Sequence, residues 1–422
     1  MVWSWCSCFN PAFAQQLSPS QFNYPNNHLS WYTIESDHFN IHFQEGNSRS
    51  AQTTARIAEA IYPQITNLYN IEPDTKTNIV LKDRRDYSNG AAYFFDNQIN
   101  IWVSSLNTPL RGTHDWLWDV ITHEFTHIVQ LQAAMKKDRQ IPAVYLQWLS
   151  YSDVRRPDVL YGYPKGILTY PFASINVPAW LAEGVAQYQR QNLFFDYWDA
   201  HRDMLFRTAV LSGNPLSYEE MSIFGSKNAL QRERIYNQGF AFTSYLVDRF
   251  GEDLLPELSQ SLGEPSVFTV DKALKNTTEI SGRKLFNDFI AVSEEHYRQS
   301  IKSLQPTENT AVQSDGFFNF YPRVSPNGDQ LAYLSNKNSR SSAVQLFVDD
   351  RDHSKNSSHA VNIGTMPSSN QRYGIYKNQE STIKYLQSSF SFSPDGSQIA
   401  FSRQKLNEYG ERYNDLFIYD RQ

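Results

Sequence analysis

The stretch HEFTH at residues 123–127 is the most informative part of this chain. It lies within Trp116 to Ala134, where apolar residues recur at helical spacing. On a helix, His123 and His127 share one face and are close enough to bind one metal ion. A catalytic zinc ion takes three protein ligands, so a third ligand is expected elsewhere in the chain.

The third ligand is predicted on a second helix. The extended three-histidine pattern would need a glycine at 130 and a histidine at 133, where the chain has Gln130 and Ala133. A carboxylate is the other solution, and Glu183 in VPAWLAEGVA, residues 177–186, supplies it. Pro178 suits the first position of this helix.

An HExxH helix followed by a WLxEGxA helix resembles the gluzincin clan of zinc metallopeptidases, more narrowly its bacterial members fused to a Tol-type β-propeller. The resemblance spans about residues 30 to 300, and the two motif helices carry it. It implies an α+β zincin-like domain in which His123, His127 and Glu183 bind one Zn²⁺ per chain. Glu124, rotated by about 100° from His123, would activate the zinc-bound water as general base and later act as general acid. The implied reaction is hydrolysis of peptide bonds.

Supporting roles are predicted at four further residues. Gln187, one turn after the third ligand, is a candidate for orienting His123 through its amide oxygen, and Asp119 is a second one. Tyr236, expected just before a helix at 238–250, and His201 are candidates for stabilising the oxyanion. Packing and solvent exposure are the alternatives for these side chains.

Substrate binding is expected at a sheet edge. The extended runs at 91–95 and 98–102 predict a hairpin. Gluzincins present an exposed strand above the metal, so the strand Gln98–Val103, with Gln98 and Asn100, is predicted to bind an extended peptide. An ordinary sheet strand is the alternative.

The cleft and its specificity are less defined by the sequence. Tyr145–Phe172 is rich in Tyr, Trp and Pro and is a candidate wall of the cleft. The Gly-x-Met-Glu-Asn pattern typical of gluzincin aminopeptidases is absent, which favours an endopeptidase.

The remaining elements follow from periodicity. Strands are predicted at 39–43 and 78–81, and helices at 51–69, 178–189, 238–250 and 284–304.

Beyond Leu304 the chain changes character. Residues 305–316 are polar and predict a linker. The motif SPNGDQLAY at 325–333 returns as SPDGSQIAF at 393–401, and each copy precedes another short strand. This resembles the WD40-like repeats of Tol-type propellers, so residues 317–422 are predicted to form about two blades of an incomplete propeller. Two unrelated hairpins are the alternative.

The N-terminus predicts export. Ala12-Phe13-Ala14 follows a short apolar stretch and resembles a signal-peptidase site, so residues 1–14 are interpreted as a partial signal peptide and 15–304 as the peptidase domain. The cysteines, Cys6 and Cys8, lie within this segment. A periplasmic or secreted protein is expected, and a disordered tail is the alternative.

Composition restricts the partners. The net charge of −6 without a basic stripe argues against nucleic acid, and no apolar run is long enough to predict a transmembrane segment. A protein or peptide substrate is expected, and the propeller could bind a further protein. The competing hypothesis is a non-catalytic envelope scaffold or peptide-binding protein organised by the propeller. The intact Glu124 separates the two, because a scaffold needs no base beside a metal.

Overall fold

The structure is a computed structural model that describes residues 29–106, 110–111, 114–151, 164–305, 307–308, 313–337, 344–350, 358–360, 386–406 and 412–421. The predicted signal peptide, with Cys6 and Cys8, lies outside these residues, and so does part of the predicted linker.

The N-terminal part of the chain, up to Leu304, combines one mixed sheet, one separate two-stranded ribbon and eight described α-helices. The strands are β1 (Trp31–Glu35), β2 (Phe39–Gln44), β3 (Thr77–Lys82), β4 (Ser88–Tyr93), β5 (Gln98–Val103), β6 (Ala143–Ser150) and β7 (Gly166–Ala173). The helices are α1 (Ser48–Tyr69), α2 (Trp116–Ala133), α3 (Ala179–Asn192), α4 (Ala200–Leu211), α5 (Ala229–Phe250), α6 (Leu254–Gly263), α7 (Val270–Thr278) and α8 (Gly282–Ile301).

The main sheet has the strand order β1-β2-β3-β5-β4. Its centre is parallel, because β2 pairs with β3 and β3 with β5 in the same direction, while β1 and β4 run antiparallel at the edges. This corrects the predicted substrate strand: β5, with Gln98 and Asn100, has both edges paired and offers no free edge. The open edge on this side belongs to β4. Gln98 and Asn100 instead bond to each other, Nε2 to Oδ1, at 3.0 Å.

The core lies between one face of this sheet and the helices. In β2 every second residue is fully or nearly fully buried, as the two-residue period of a strand requires when one face is covered. The covering side chains come from α1 and α2, and the rings of Phe39, Tyr62 and Phe125 pack with centroids 5.1 to 5.8 Å apart.

Helices α3 and α5 approach each other through two glycines. A Cβ atom placed on Gly184 would overlap the Gly239 carbonyl and lie 2.6 Å from Thr243 Oγ1. A Cβ on Gly239 would lie 2.6 Å from the carbonyl oxygen of Trp180. Because both positions lack a side chain, the backbones pack in direct contact.

Two predicted helix boundaries are wrong. Helix α3 begins at Ala179, and Pro178 is its N-cap residue. Helix α5 begins at Ala229, where Asn228 and Gln231 form a capping box, so Tyr236 lies inside the helix and not before it. The predicted hairpin is present as β4 and β5, with Phe94 and Phe95 in its turn.

The repeated C-terminal motifs form the same turn twice. Gly328 and Gly396 adopt φ of 83° and 73°, and each donates its amide to a serine carbonyl, Ser325 or Ser393, at 2.9 Å. Glycine is needed because this φ disfavours other residues.

These turns lead into two antiparallel sheets, the number that the two predicted blades require, and their identity as propeller blades stays a prediction. The first has the order β11-β10-β9-β8 and the second β12-β13-β14, and no ring of blades is found among the described residues. Their strands are β8 (Asn319–Val324), β9 (Gln330–Ser335), β10 (Gln345–Asp350), β11 (Ser358–Ala360), β12 (Leu386–Phe392), β13 (Gln398–Leu406) and β14 (Arg412–Asp420). The sheets share one apolar cluster, in which Leu334 of the first lies with Phe390 and Phe401 of the second.

No helix within the described ranges is long and apolar enough to span a bilayer.

Candidate metal centre

Two helices bring three ligand-type atoms together. Helix α2 presents His123 and His127, and helix α3 presents Glu183. The His123 and His127 Nε2 atoms are 3.0 Å apart, and Glu183 Oε2 lies 3.1 Å from the first and 3.4 Å from the second. The three atoms therefore form a nearly equilateral triangle, although Glu183 is far from the histidines in sequence.

This triangle fits a zinc ion. Ligand atoms at ~2.0–2.1 Å from a tetrahedral zinc lie about 3.3 Å from one another. The observed separations of 3.0, 3.1 and 3.4 Å bracket that value. Two imidazoles and one carboxylate are also a donor set that leaves the fourth position open in catalytic zinc sites. The residues present therefore suit the ion that the sequence predicts.

The protonation states of the three residues also suit a cation. Burial lowers the pKa of His123 to about 3, so its imidazole is neutral. Burial opposes ionisation of Glu183, but the charge of His127 and hydrogen bonds from both histidines hold its pKa well below the usual value. Burial would also lower the pKa of His127, yet Glu183 raises it above its usual value. A metal ion would take the place of the His127 proton.

Glu124 lies beside this triangle in a buried position, 7% exposed. Burial raises its pKa to about 7, and the nearby charge of His127 opposes the rise. A hydrogen bond from the backbone of Ala92, in the edge strand β4, holds the carboxylate. A Cβ atom on Gly90 would overlap Glu124 Oε1, so glycine allows β4 to lie directly against this side chain.

A buried ion-pair network connects the two motif helices. Asp119, one turn before His123, lies 3.6 Å from Arg190 Nη1, and Arg190 lies two turns after Glu183 on helix α3. Arg190 Nη2 is also 2.6 Å from Asp196 Oδ2. The three charged side chains are at most 5% exposed. This network connects α2 to α3.

A second group of metal-type side chains, His114, Asp119 and Asp196, lies within this network. Both Asp196 oxygens accept hydrogen bonds from Arg202, at 2.7 and 2.9 Å. Arg190 approaches the same carboxylate. Because guanidinium groups already neutralise Asp196, this second group does not fit a cation.

Tyr236 lies near the metal-type triangle. Its ring centroid is 6.5 Å from that of His123. Arg111 lies over the ring at 5.2 Å and pairs with Glu233, one turn before Tyr236, at 2.8 Å. Burial raises the pKa of Tyr236 well above its usual value, so the hydroxyl is neutral and can donate a hydrogen bond.

The other predicted residues lie elsewhere or have no visible partner. His201 is half exposed and lies 3.7 Å from Asp199 at the start of α4. Asp119 belongs to the ion-pair network, and burial raises its pKa to about 7. Gln187 is fully buried, but neither atom of its amide, nor Nδ1 of His123, has a hydrogen-bond partner among the described residues. The predicted Gln187–His123 hydrogen bond is thus not formed in this structure.

Sequence reasoning did not identify Arg111, Arg190 or Gly90. Arg190 had a signal, because it follows Glu183 by seven residues and so shares its helix face. Arg111 and Gly90 lack such a signal. Arg111 contacts Glu233 and Gly90 contacts Glu124, and both partners are distant in sequence.

Comparisons with known proteins add little to this geometry. No known family profile and no curated protein sequence matches the chain. Among solved structures, an aminopeptidase N family protein from Idiomarina loihiensis is similar, with a TM-score of 0.39 and 12% identity. The match covers 77% of this chain and 65% of that one, less than two thirds of its length. A similarity this distant carries no weight for the activity.

Proposed function

We propose that this chain is a zinc-dependent peptidase of an exported compartment that cleaves within peptide chains. The observation that carries the proposal is the 3.0–3.4 Å triangle of His123, His127 and Glu183 atoms beside the buried Glu124. A structural ion pair would explain the contacts of the triangle. It would not explain why a further carboxylate, Glu124, is buried directly beside the triangle, which is where a general base would have to lie.

Each residue of the candidate site has a separate role in the proposed reaction. His123, His127 and Glu183 would hold Zn²⁺, which when bound lowers the pKa of a water molecule and polarises the scissile carbonyl. Glu124 accepts the proton of the attacking water and passes it to the leaving amine. Burial raises the pKa of Glu124, which favours uptake of the water proton. Tyr236 donates a hydrogen bond to the oxygen that becomes negative.

The substrate would bind along β4. This strand is the open edge of the sheet nearest α2, and its Gly90 and Ala92 lie directly against Glu124. An extended peptide can add to such an edge through backbone hydrogen bonds, which places a peptide bond beside the base. Pairing along a strand holds residues on both sides of the cleaved bond, and this favours an endopeptidase.

The experiment is metal reconstitution followed by cleavage of unfolded casein. The chelator-stripped protein is expected to take up one Zn²⁺ per chain in native mass spectrometry, and to release internal fragments of casein only when reloaded. His123→Ala and Glu183→Gln should lose both properties. His38→Ala is the matched control, because His38 pairs with Glu59 at 2.7 Å on the surface and should keep both.

Zinc uptake without casein cleavage would reject the enzyme and favour the scaffold or peptide-binding hypothesis. Stepwise loss of terminal residues would instead reject the endopeptidase part alone.

A further inference from the structure

Strands β6 and β7 form a two-stranded ribbon that stands apart from the rest of the protein. They pair in continuous antiparallel register from Ala143 opposite Ala173 to Ser150 opposite Gly166. No other described helix or strand makes more than a marginal contact with them. The ribbon includes most of the described residues of Tyr145–Phe172. These residues are exposed to solvent, and their predicted role as a wall of the cleft stays a prediction.

One side of the ribbon is apolar over three of its four facing pairs, and the fourth pair, Ser150 with Gly166, lies at one end. Residues directly opposite in an antiparallel pair lie on the same face. The register therefore puts six large apolar side chains together, and their exposure ranges from 41% at Phe172 to 73% at Trp148. This apolar face consists of Val144, Leu146, Trp148, Leu168, Tyr170 and Phe172.

The opposite face of the ribbon is mixed. Its centre is the polar pair Gln147 and Thr169, joined by a 3.3 Å hydrogen bond. Leu149 and Ile167, 44% and 61% exposed, lie beside this pair. The ribbon thus has one strongly apolar side and one side that includes polar groups.

The charged residues described next to the ribbon are mainly basic. Neither strand contains a charged residue, whereas the chain as a whole has a net charge of −6. Exposed lysines lie at its two ends, Lys137 before β6 and Lys165 before β7. Asp138 is the only acidic residue within residues 134–151 and 164–182. An anionic surface that approaches the ribbon would therefore meet an exposed lysine at each end of it.

We propose that this apolar face docks into the interfacial zone of an anionic lipid bilayer. Trp and Tyr side chains favour the level of the lipid headgroups, and Trp148 and Tyr170 are both on the apolar face. Lysines beside an apolar patch add attraction to acidic headgroups. Protein interfaces average about one direct hydrogen bond per 100–200 Å², and the six side chains of this face offer only the Tyr170 hydroxyl and the Trp148 indole N–H.

The ribbon can lie on a bilayer but cannot cross it. Each strand has eight residues, whereas a membrane-spanning strand needs about 9–11. Its two unpaired backbone edges would also lack hydrogen-bond partners in the hydrocarbon region. The apolar face therefore rests in the interface while the Gln147–Thr169 pair faces water. Because the ribbon connects α2 to α3, docking would hold the candidate metal centre close to the membrane, whether or not that centre is catalytic.

The test is flotation of the full chain with lipid vesicles. Vesicles of equal parts phosphatidylglycerol and phosphatidylcholine are compared with pure phosphatidylcholine. The double variant Trp148→Ser and Leu168→Ser removes a facing pair from the apolar face. The matched control, Leu149→Ser and Ile167→Ser, removes a facing pair from the other face. All four positions are exposed, so circular dichroism should show unchanged folding.

We expect the wild-type chain to float with the anionic vesicles. Binding should fall by about tenfold or more in the apolar-face variant, and much less in the control. Lys137→Glu with Lys165→Glu should remove the preference for the anionic lipid. The proposal is overturned if the wild type stays with the soluble fraction or if both double variants bind alike. It is also overturned if the apolar-face variant changes only the oligomeric state or the KM for casein, which would assign the face to a second copy or to substrate.

Discussion

Alanine at Gly184 should impair zinc binding more than it impairs folding. The added Cβ would lie 2.6 Å from the carbonyl carbon of Gly239 and from Thr243 Oγ1. Ordinary contact begins at 3.4 Å, so α3 and α5 would have to separate by at least 0.8 Å, the difference between 3.4 and 2.6 Å, and the Gly239 carbonyl oxygen is closer still. The obstacle is backbone, which cannot rotate away as a side chain can. Glu183 is the neighbouring residue and moves with this turn.

The two effects have different sizes. Overpacking costs ~1–3 kcal/mol of folding stability. Replacing glycine by alanine in a helix increases folding stability by about 1 kcal/mol. The net loss is therefore about 0–2 kcal/mol. Zinc–oxygen bonds span only ~2.0–2.2 Å, so a shift of the size imposed here should weaken zinc binding by about 10- to 100-fold.

Chelator competition measures the zinc affinity, and urea unfolding of the metal-free protein measures the stability. Gly166→Ala is the control, because its Cβ would meet only Ser150 Cβ at 3.9 Å. Wild-type zinc affinity in Gly184→Ala would refute the claim that the contact between α3 and α5 positions Glu183.

Three further predictions follow from the same geometry. Zinc affinity should rise between pH 6 and pH 8. The pKa of His127 is raised and that of Glu124 is about 7, and the bound ion favours the deprotonated form of both. A zinc affinity that stays constant in chelator competition across this range would contradict the prediction. Arg190→Met should cost about 3 kcal/mol in urea unfolding, because Asp119 stays buried without a cationic partner while Asp196 keeps Arg202. Arg298→Met, which breaks an exposed pair with Glu294, should have no measurable effect. Tyr236→Phe should lower kcat on casein by about 10²-fold with little change in KM, and full turnover in this variant would remove Tyr236 from the mechanism.

The metal-type triangle was predictable because its signals are local. The four-residue spacing of His123 and His127 needs only a helix to bring them together. Glu183 was found by its own motif on another helix, so the long separation in sequence did not matter. The structure places all three atoms within hydrogen-bonding range.

The sheet edge and the start of α5 were not predictable in the same way. A hairpin signal pairs β4 with β5, but the pairing of β5 with β3 is parallel and distant in sequence, so nothing local shows which strand is the edge. The first turns of α5 are largely polar, and the capping residues Asn228 and Gln231 precede any clear apolar period. Tyr236 was therefore placed outside the helix that contains it.

The propeller was predicted from turns that do recur. Each copy of the repeated motif forms the same glycine turn, but one such turn indicates only one hairpin. Ring closure depends on how several sheets pack, and two described sheets do not form a ring.

Replacement of one oxygen in Glu124 tests the central claim most directly. Glu124→Gln keeps the size of the side chain and leaves His123, His127 and Glu183 unchanged. We expect this variant to bind one Zn²⁺ per chain as the wild type does, and to cleave casein about 10²- to 10⁴-fold more slowly. Cleavage at the wild-type rate by the zinc-loaded variant would contradict the assignment of Glu124 as the base.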